Sequence, residues 1–518
     1  MISNKGKIMK STRVLGLNLC LVMILVIVQA VSSCGQSSPQ KMTVLHTNDM
    51  HGAYLPGQAA WMPEKPMIGG FVALDYYVQQ ERAKSGKALL LDAGDLMTGT
   101  LICDMEYQGA QGGALVAMMN EIGYNGWVFG NHEFDKSAAN VRNLLKIAKF
   151  PVFCANFYKD NAPFVPDAYH IYDLDGLRIG VIGLTYHQMV GMAPPEKLDG
   201  FVSIDPAAAV NRVVAQIDSL TDLIIVLSHL GIDNDRELTA NIKGVDLIIG
   251  GHSHTRLETP EKVNGVIVAQ AGSSCRNLGR IDLTVAGDSV MIYEGRLIPM
   301  LIEGISPDPE LSALVDSIKT EIDKKYAIVI ARLELDWETQ YRAESNIGDW
   351  LTDALRARMN TDVAFLNSGG IRKNLPAGPV TKMDIYEILP FDNRVVTFSL
   401  TGKELLRVAE HNVGLEQGSY QGSLQLSGLS YGWKGDSANI ELNDVRVNGA
   451  PIEPERIYKV ASIDYVAEAN AERYFGFTPS SGLNQAGIGL TELILQAVEK
   501  AGVIVSKIDG RAKKLAGH

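Results

Sequence analysis

Five times between residues 42 and 254 an apolar run of strand character stops at a cluster of Asp, Asn or His, and this recurrence constrains the chain most. The fullest case is Val128-Phe129-Gly130-Asn131-His132-Glu133-Phe134-Asp135. Gly130 lets the backbone turn where a side chain would clash. Asn131 offers a neutral oxygen ligand. His132 titrates near neutral pH and can act as acid or base. Asp135, three residues on, can orient and charge-stabilise that imidazole. The other four clusters are Asp49-Met50-His51, Gly94-Asp95, Ser228-His229 and Gly250-Gly251-His252-Ser253-His254.

Between the clusters, strand and helix patterns alternate. Strands are expected over 42–48, 88–91, 152–156, 177–184, 222–227 and 246–249, and helices over 69–85, 110–122, 141–148 and 206–220. Such alternation predicts an α/β domain. The clusters fall where strands end, which is where open α/β sheets hold their sites. Side chains alternate along extended chain, so Asp49 and His51 are expected to point the same way and share one ion. Closing strands are expected over 263–271, 280–285 and 290–297.

The 518 residues are too many for one hydrophobic core, so two or more domains are expected. Ser306-Pro307-Asp308-Pro309 punctuates the chain, and a charged amphipathic helix over 310–325 reads as a linker. The second domain carries a helix over 346–359, strands over 363–366, 426–433, 440–447 and 458–463, and a terminal helix over 490–501. The expected division is 1–33 signal peptide, 34–41 tether, 42–305 first domain, 306–326 linker and 327–518 second domain. A net charge of −12 argues against a surface that coats nucleic acid. It leaves small anionic substrates open, because a local metal or cationic site overrides the global field.

The N-terminus reads as a targeting segment. Lys5, Lys7, Lys10 and Arg13 precede a mostly apolar run over 14–28, and Val31-Ser32-Ser33-Cys34 follows. Small residues before a Cys resemble a bacterial lipoprotein cleavage box. That resemblance implies cleavage before Cys34, lipidation of its sulfur and anchoring in the cell envelope. The other reading is an ordinary signal peptide with an incidental Cys. Cys103, Cys154 and Cys275 remain, with no CxxC spacing, so a cysteine zinc site is not expected and one disulfide is possible.

Five of the ten histidines, His51, His132, His229, His252 and His254, sit in the clusters. Four of these with Asp49, Asp95 and Asn131 make seven nitrogen and oxygen donors without a thiolate. Such a set suits zinc, manganese or iron. Seven donors exceed what one ion needs, and two ions sharing a carboxylate would use them all, with Asp95 the natural bridge. His46, His170, His187, His411 and His518 match no metal motif. Asp92 is expected to support the loop.

The ordered combination D-x-H, G-D, G-N-H-E, H and G-H-x-H resembles the calcineurin-like metallophosphoesterases. The resemblance implies a β-sandwich flanked by helices. It implies Asp49, His51 and His254 as ligands of one ion, Asn131, His229 and His252 as ligands of the other, and Asp95 bridging. It also implies His132 with Asp135 as a catalytic dyad. Two divalent ions, zinc or manganese, roughly 3.5–4 Å apart would clamp a phosphoryl group and activate a water for in-line attack.

Ala343-Glu-Ser-Asn-Ile-Gly348, Asn367-Ser-Gly-Gly-Ile-Arg372, Leu389-Pro-Phe-Asp-Asn393 and Thr401-Gly-Lys-Glu-Leu405 resemble the C-terminal α+β domain of bacterial 5'-nucleotidase/UDP-sugar hydrolases. By that resemblance the domain binds a nucleotide through Asn367, Gly370 and Arg372. Phe391 is one of two rings that sandwich the base. The family's second ring precedes a Gly-Gly-Asp-Gly turn. Here Ser462-Ile-Asp464-Tyr465 aligns with its start and Ala467 to Arg473 replaces the glycines, so Tyr465 is the candidate. Arg342 is the candidate for an arginine the family carries nearby, at a spacing one residue off. The function implied is a 5'-nucleotidase; a UDP-sugar hydrolase, a 2',3'-cyclic-nucleotide phosphodiesterase, a sulfur-compound hydrolase and a non-catalytic nucleotide-binding lipoprotein are the alternatives.

Overall fold

The computed structural model describes residues 38–59, 62–188, 200–391, 393–418, 422–436 and 439–515. The signal peptide over 1–33, Cys34, most of the tether, Asp392 and His518 lie outside the described residues. Among the described residues no helix is long and apolar enough to cross a membrane.

Two sheets stack face to face in the first half. One runs Val290–Pro299, Asn277–Val285, Gln40–Thr47, Ala88–Asp92, Gly126–Trp127; the other runs Tyr169–Leu174, Leu177–Leu184, Leu223–Ser228, Leu247–Gly250, Val266–Ala269, Glu261–Val263. The inner strands are apolar on both faces, and the period of two sends alternate residues to different cores. Val44, Leu89, Leu91, Val181, Ile225, Leu227 and Ile249 meet between the sheets. Leu45 and Leu90 point outward to helices Phe71–Ala83, Gly113–Ile122 and Ala138–Ile147. Ile182, Val226 and Ile248 point the other way, to Pro206–Ile217. The result is the expected sandwich between helical layers. Its central strands are parallel, as helical crossovers require.

Residues 152–156 depart from the expected strand. Only Val152 forms a ladder bridge, to Trp127. The segment crosses instead from one sheet to the other: Phe153 N donates to Trp127 O at 3.3 Å and Ala155 N to Gly183 O at 2.8 Å. The three cysteines are free and buried, so no disulfide forms among them.

The helix Pro309–Tyr326 forms as expected, with Asp308 Oδ1 accepting from Glu310 N and Leu311 N at 2.9 Å. Its stripe Leu311, Val315, Ile318 and Ile322 packs on the first core. Beyond it, a separate core gathers residues 331–504 only. That core centres on the sheet Leu424–Ser427, Val363–Asn367, Ile457–Ile463, Arg394–Thr401, Asn484–Gly489. The strand expected over 426–433 is two strands in two sheets, split at Gly428. Its φ is +78°, and a Cβ there would run into Asp362 O, so only glycine makes the corner. The helix Lys382–Ile388 meets the first core through Met383 and Tyr386, with the Tyr386 ring 5.2 Å from that of Tyr326.

Candidate metal centre

The strand-end clusters converge. Asp49, His51 and His254 form one group and Asp95, His229 and His252 another, each with its potential ligand atoms within 4.8 Å of one another. The two groups adjoin, because His252 N donates to Asp49 Oδ1 at 3.0 Å. Asn131 joins the second group, its Oδ1 lying 2.9 Å from His252 Nδ1.

Asp49 and His51 do converge, but not by alternation along a strand. The strand ends at Thr47, and both residues take a left-handed backbone with φ of 49°. Asp95, His252 and His254 do the same. Holding five non-glycine residues in this sparse region costs free energy. Buried polar side chains hold them there. Glu133 accepts from Gly130 N at 2.5 Å, Met97 N at 3.0 Å and Asp95 N at 3.2 Å. Asn48 donates to Asp49 Oδ2 and Gly272 O, both at 2.6 Å. Gln270 donates to Gly251 O and accepts from Thr255 N. Asp92 supports its loop, accepting from Thr47 Oγ1 and Gly94 N. A Cβ on Gly130 would collide with the Asp95 carboxylate and the His229 ring.

The donor atoms face one another as acceptors. His229 Nδ1 donates to Ala93 O at 2.6 Å, which leaves its Nε2 as a lone pair 3.0 Å from Asp95 Oδ2. That Nε2 is buried without a hydrogen-bond partner. His51 Nδ1 donates to Thr98 O at 2.8 Å, leaving its Nε2 2.9 Å from His254 Nε2. Lone pairs at such separations repel unless a cation sits between them, and the backbone carbonyls behind the rings fix the tautomers that ligation requires. A proton can play the cation's part at His229: burial opposes its charge, but Asp95 lifts it to about 10. A divalent ion would displace that proton. Burial drives His252 and His254 down to about 3, so both are neutral and free to ligate. The residues present therefore fit two divalent cations.

His132 stands beside this centre. Its Nδ1 donates to Asp135 Oδ2 at 2.7 Å, and Thr98 Oγ1 holds the same oxygen at 2.6 Å. Its backbone N donates to Asp95 Oδ1. Burial disfavours the imidazolium, but the charges of Asp135 and Asp95 outweigh it and raise His132 to about 9.

The second unit reaches the same place. The Phe391 ring lies 5.8 Å from the His132 ring, and the Arg372 guanidinium carbon 5.9 Å from the Phe391 centroid. The charge of Arg372 reaches His51 and His254. Asn367 ends a buried strand at the 3-10 turn Ser368–Gly370, and its Oδ1 is buried without a partner. Tyr465 opens a π-helix, Tyr465–Ala469, with its ring 6.2 Å from that of Tyr474. Arg342 is not drawn into the cluster: its guanidinium is exposed and donates to Gly418 O.

Sequence reasoning missed Tyr186, whose ring stacks on His252 at 4.0 Å and 24°. It lies just past the end of the strand Leu177–Leu184, the position that marks the other clusters, and that position was the available signal. Glu133 was also passed over as a loop organiser.

Residues 42–256 match the family model of calcineurin-like phosphoesterases, and residues 325–476 match that of the 5'-nucleotidase C-terminal domain. The chain is 28% identical over 528 residues to the trifunctional nucleotide phosphoesterase protein YfkN of Bacillus subtilis, covering 92% of this chain and 35% of that protein. It thus spans about a third of that relative's length. It is 27% identical over 553 residues to a 5'-nucleotidase of Vibrio cholerae, covering 93% of this chain and 96% of the other. A 5'-nucleotidase precursor from Thermus thermophilus has a similar solved structure, with TM-score 0.81 and 26% identity over 92% of this chain and 100% of that one.

Proposed function

We propose, from the premise that the chain belongs to the two-domain family joining a calcineurin-like phosphoesterase domain to a 5'-nucleotidase C-terminal domain, that it is a 5'-nucleotidase releasing phosphate from nucleoside monophosphates. One observation carries the reading: two ligand groups adjoin under a histidine that also faces an aromatic ring of the second unit.

Asp49, His51 and His254 hold one divalent ion, Asn131, His229 and His252 the other, and Asp95 bridges them. The absence of thiolates favours zinc or manganese. Such ions supply Lewis-acid charge beside the scissile phosphate and make water nucleophilic at neutral pH. The protein supplies the rest. Asp135 and Thr98 fix the His132 ring so that Nδ1–H is committed and Nε2–H is free. With His132 raised to about 9, that nitrogen carries a proton at neutral pH. It can stabilise the phosphoryl oxygens or protonate the leaving ribose oxygen. Arg372 neutralises phosphate charge, Asn367 and the Gly370 turn bind polar groups of the nucleoside, and Phe391 with Tyr465 stack the base.

The division into a metal-binding domain over 42–305, a linker over 306–326 and a substrate domain over 327–518 rests on the separate cores. Lipidation at Cys34 and an envelope location rest on the N-terminal sequence alone. The test is phosphate release from AMP, a UDP-sugar and a 2',3'-cyclic nucleotide, with manganese or zinc and with chelator. Chelator-sensitive release, fastest from AMP, is expected; none from any of the three would leave only a binding protein.

A further inference from the structure

One cationic side chain in the cleft has no partner. Arg473 lies on the short helix Ala471–Phe475, within the segment that stands where the family pattern has glycines. Its Nε is buried without a hydrogen bond, and among the described residues no carboxylate or carbonyl takes its guanidinium. The guanidinium carbon lies 5.5 Å from the Tyr474 ring centroid, and His411 Nε2 donates to the Arg473 carbonyl at 2.9 Å, fixing the backbone. The charge reaches the hydroxyls of Tyr186, Tyr465 and Tyr474.

These neighbours locate it. Tyr186 is stacked on His252, so Arg473 stands on the flank of the second ligand group. Arg372 serves the first, since its charge reaches His51 and His254. The cleft thus holds two guanidinium groups on two flanks of one metal centre. A guanidinium cannot shed its proton, and leaving one partly buried without a counter-charge is unfavourable. Its planar fork matches a phosphate.

We propose that Arg473 is a specificity-determining residue that binds a second phosphate of the nucleotide, one other than the phosphate released. The inference rests on the nucleotidase reading and extends the substrate class to nucleotides bearing two phosphate groups. The second phosphate is either on the 5' chain, as in ADP, or on the ribose, as in adenosine 3',5'-bisphosphate.

The test compares kcat/KM for AMP, ADP and adenosine 3',5'-bisphosphate in the wild type, Arg473→Gln and Arg473→Lys. Loss of one charge-assisted hydrogen bond predicts that Arg473→Gln lowers kcat/KM for at least one two-phosphate nucleotide about tenfold more than for AMP, through KM. Arg473→Lys restores part of it, and the nucleotide affected identifies the source of the second phosphate. Equal change on all three, or none, overturns the proposal and makes Arg473 structural. Equilibrium binding of the same nucleotides to chelator-treated protein reads the subsite without turnover. Tighter binding of a two-phosphate nucleotide than of AMP, lost in Arg473→Gln, supports the subsite even if no nucleotide is hydrolysed. Equal affinities reject it, whatever becomes of the nucleotidase reading.

Discussion

The imidazole of His132 and the ring of Phe391 lie 5.8 Å apart, tilted by 38°, although they belong to different cores. This pairing joins the proton-carrying group of one unit to the base platform of the other. A nucleoside stacked on Phe391 sets its 5' end beside the metal ligands.

His132 is the group whose loss separates chemistry from binding. His132→Gln is expected to lower kcat by about 10²–10⁴ while bound metal stays at the wild-type level. Metal analysis and AMP kinetics on one preparation check both halves. A variant with full turnover would end the dyad assignment.

Phe391 is expected to act through the base. Base stacking is worth about 1–3 kcal/mol per ring, so Phe391→Ala should raise KM for AMP by about 5- to 150-fold. The effect on p-nitrophenyl phosphate, which has no base, should be clearly smaller. Equal losses on the two substrates would show that the ring serves packing.

Glu416 gives a pH dependence independent of the metals. Burial and the charge of Glu344 push its carboxyl up to about 8, whereas an unfolded glutamate titrates near about 4.3. The folded chain therefore keeps a proton that the unfolded chain releases. The stabilisation is complete below about pH 4.3 and is lost as pH rises through about 8. Glu416→Gln has no proton to lose. Its Tm should match the wild type at pH 4 and exceed it at pH 9. Thermal scans at both values decide; one constant offset would remove Glu416 as the cause.

The layered sandwich was legible because its strands are apolar on both faces, so alternate residues must feed different cores. The ligand set was legible because each donor follows such a strand directly. How Asp49 and His51 converge was not legible. Strand alternation predicts it for the wrong reason, since both residues sit in left-handed turns held by Asn48 and Glu133. No local propensity encodes a turn stabilised by side chains from distant loops. Tyr186 was invisible for a similar cause: a tyrosine after a strand gains meaning only once His252 arrives beneath it. Gly428 hid a sheet corner inside what reads as one apolar run.

The central claim is that two groups of donors hold two divalent ions, and counting metal tests it most directly. Protein loaded with manganese or zinc, freed of excess and analysed by plasma mass spectrometry should carry two ions per chain, one for each group. Asp95→Asn and Gly130→Ala should lower that number while the circular dichroism spectrum is unchanged. A wild-type protein that retains no divalent metal, or variants that retain all of it, would contradict the account.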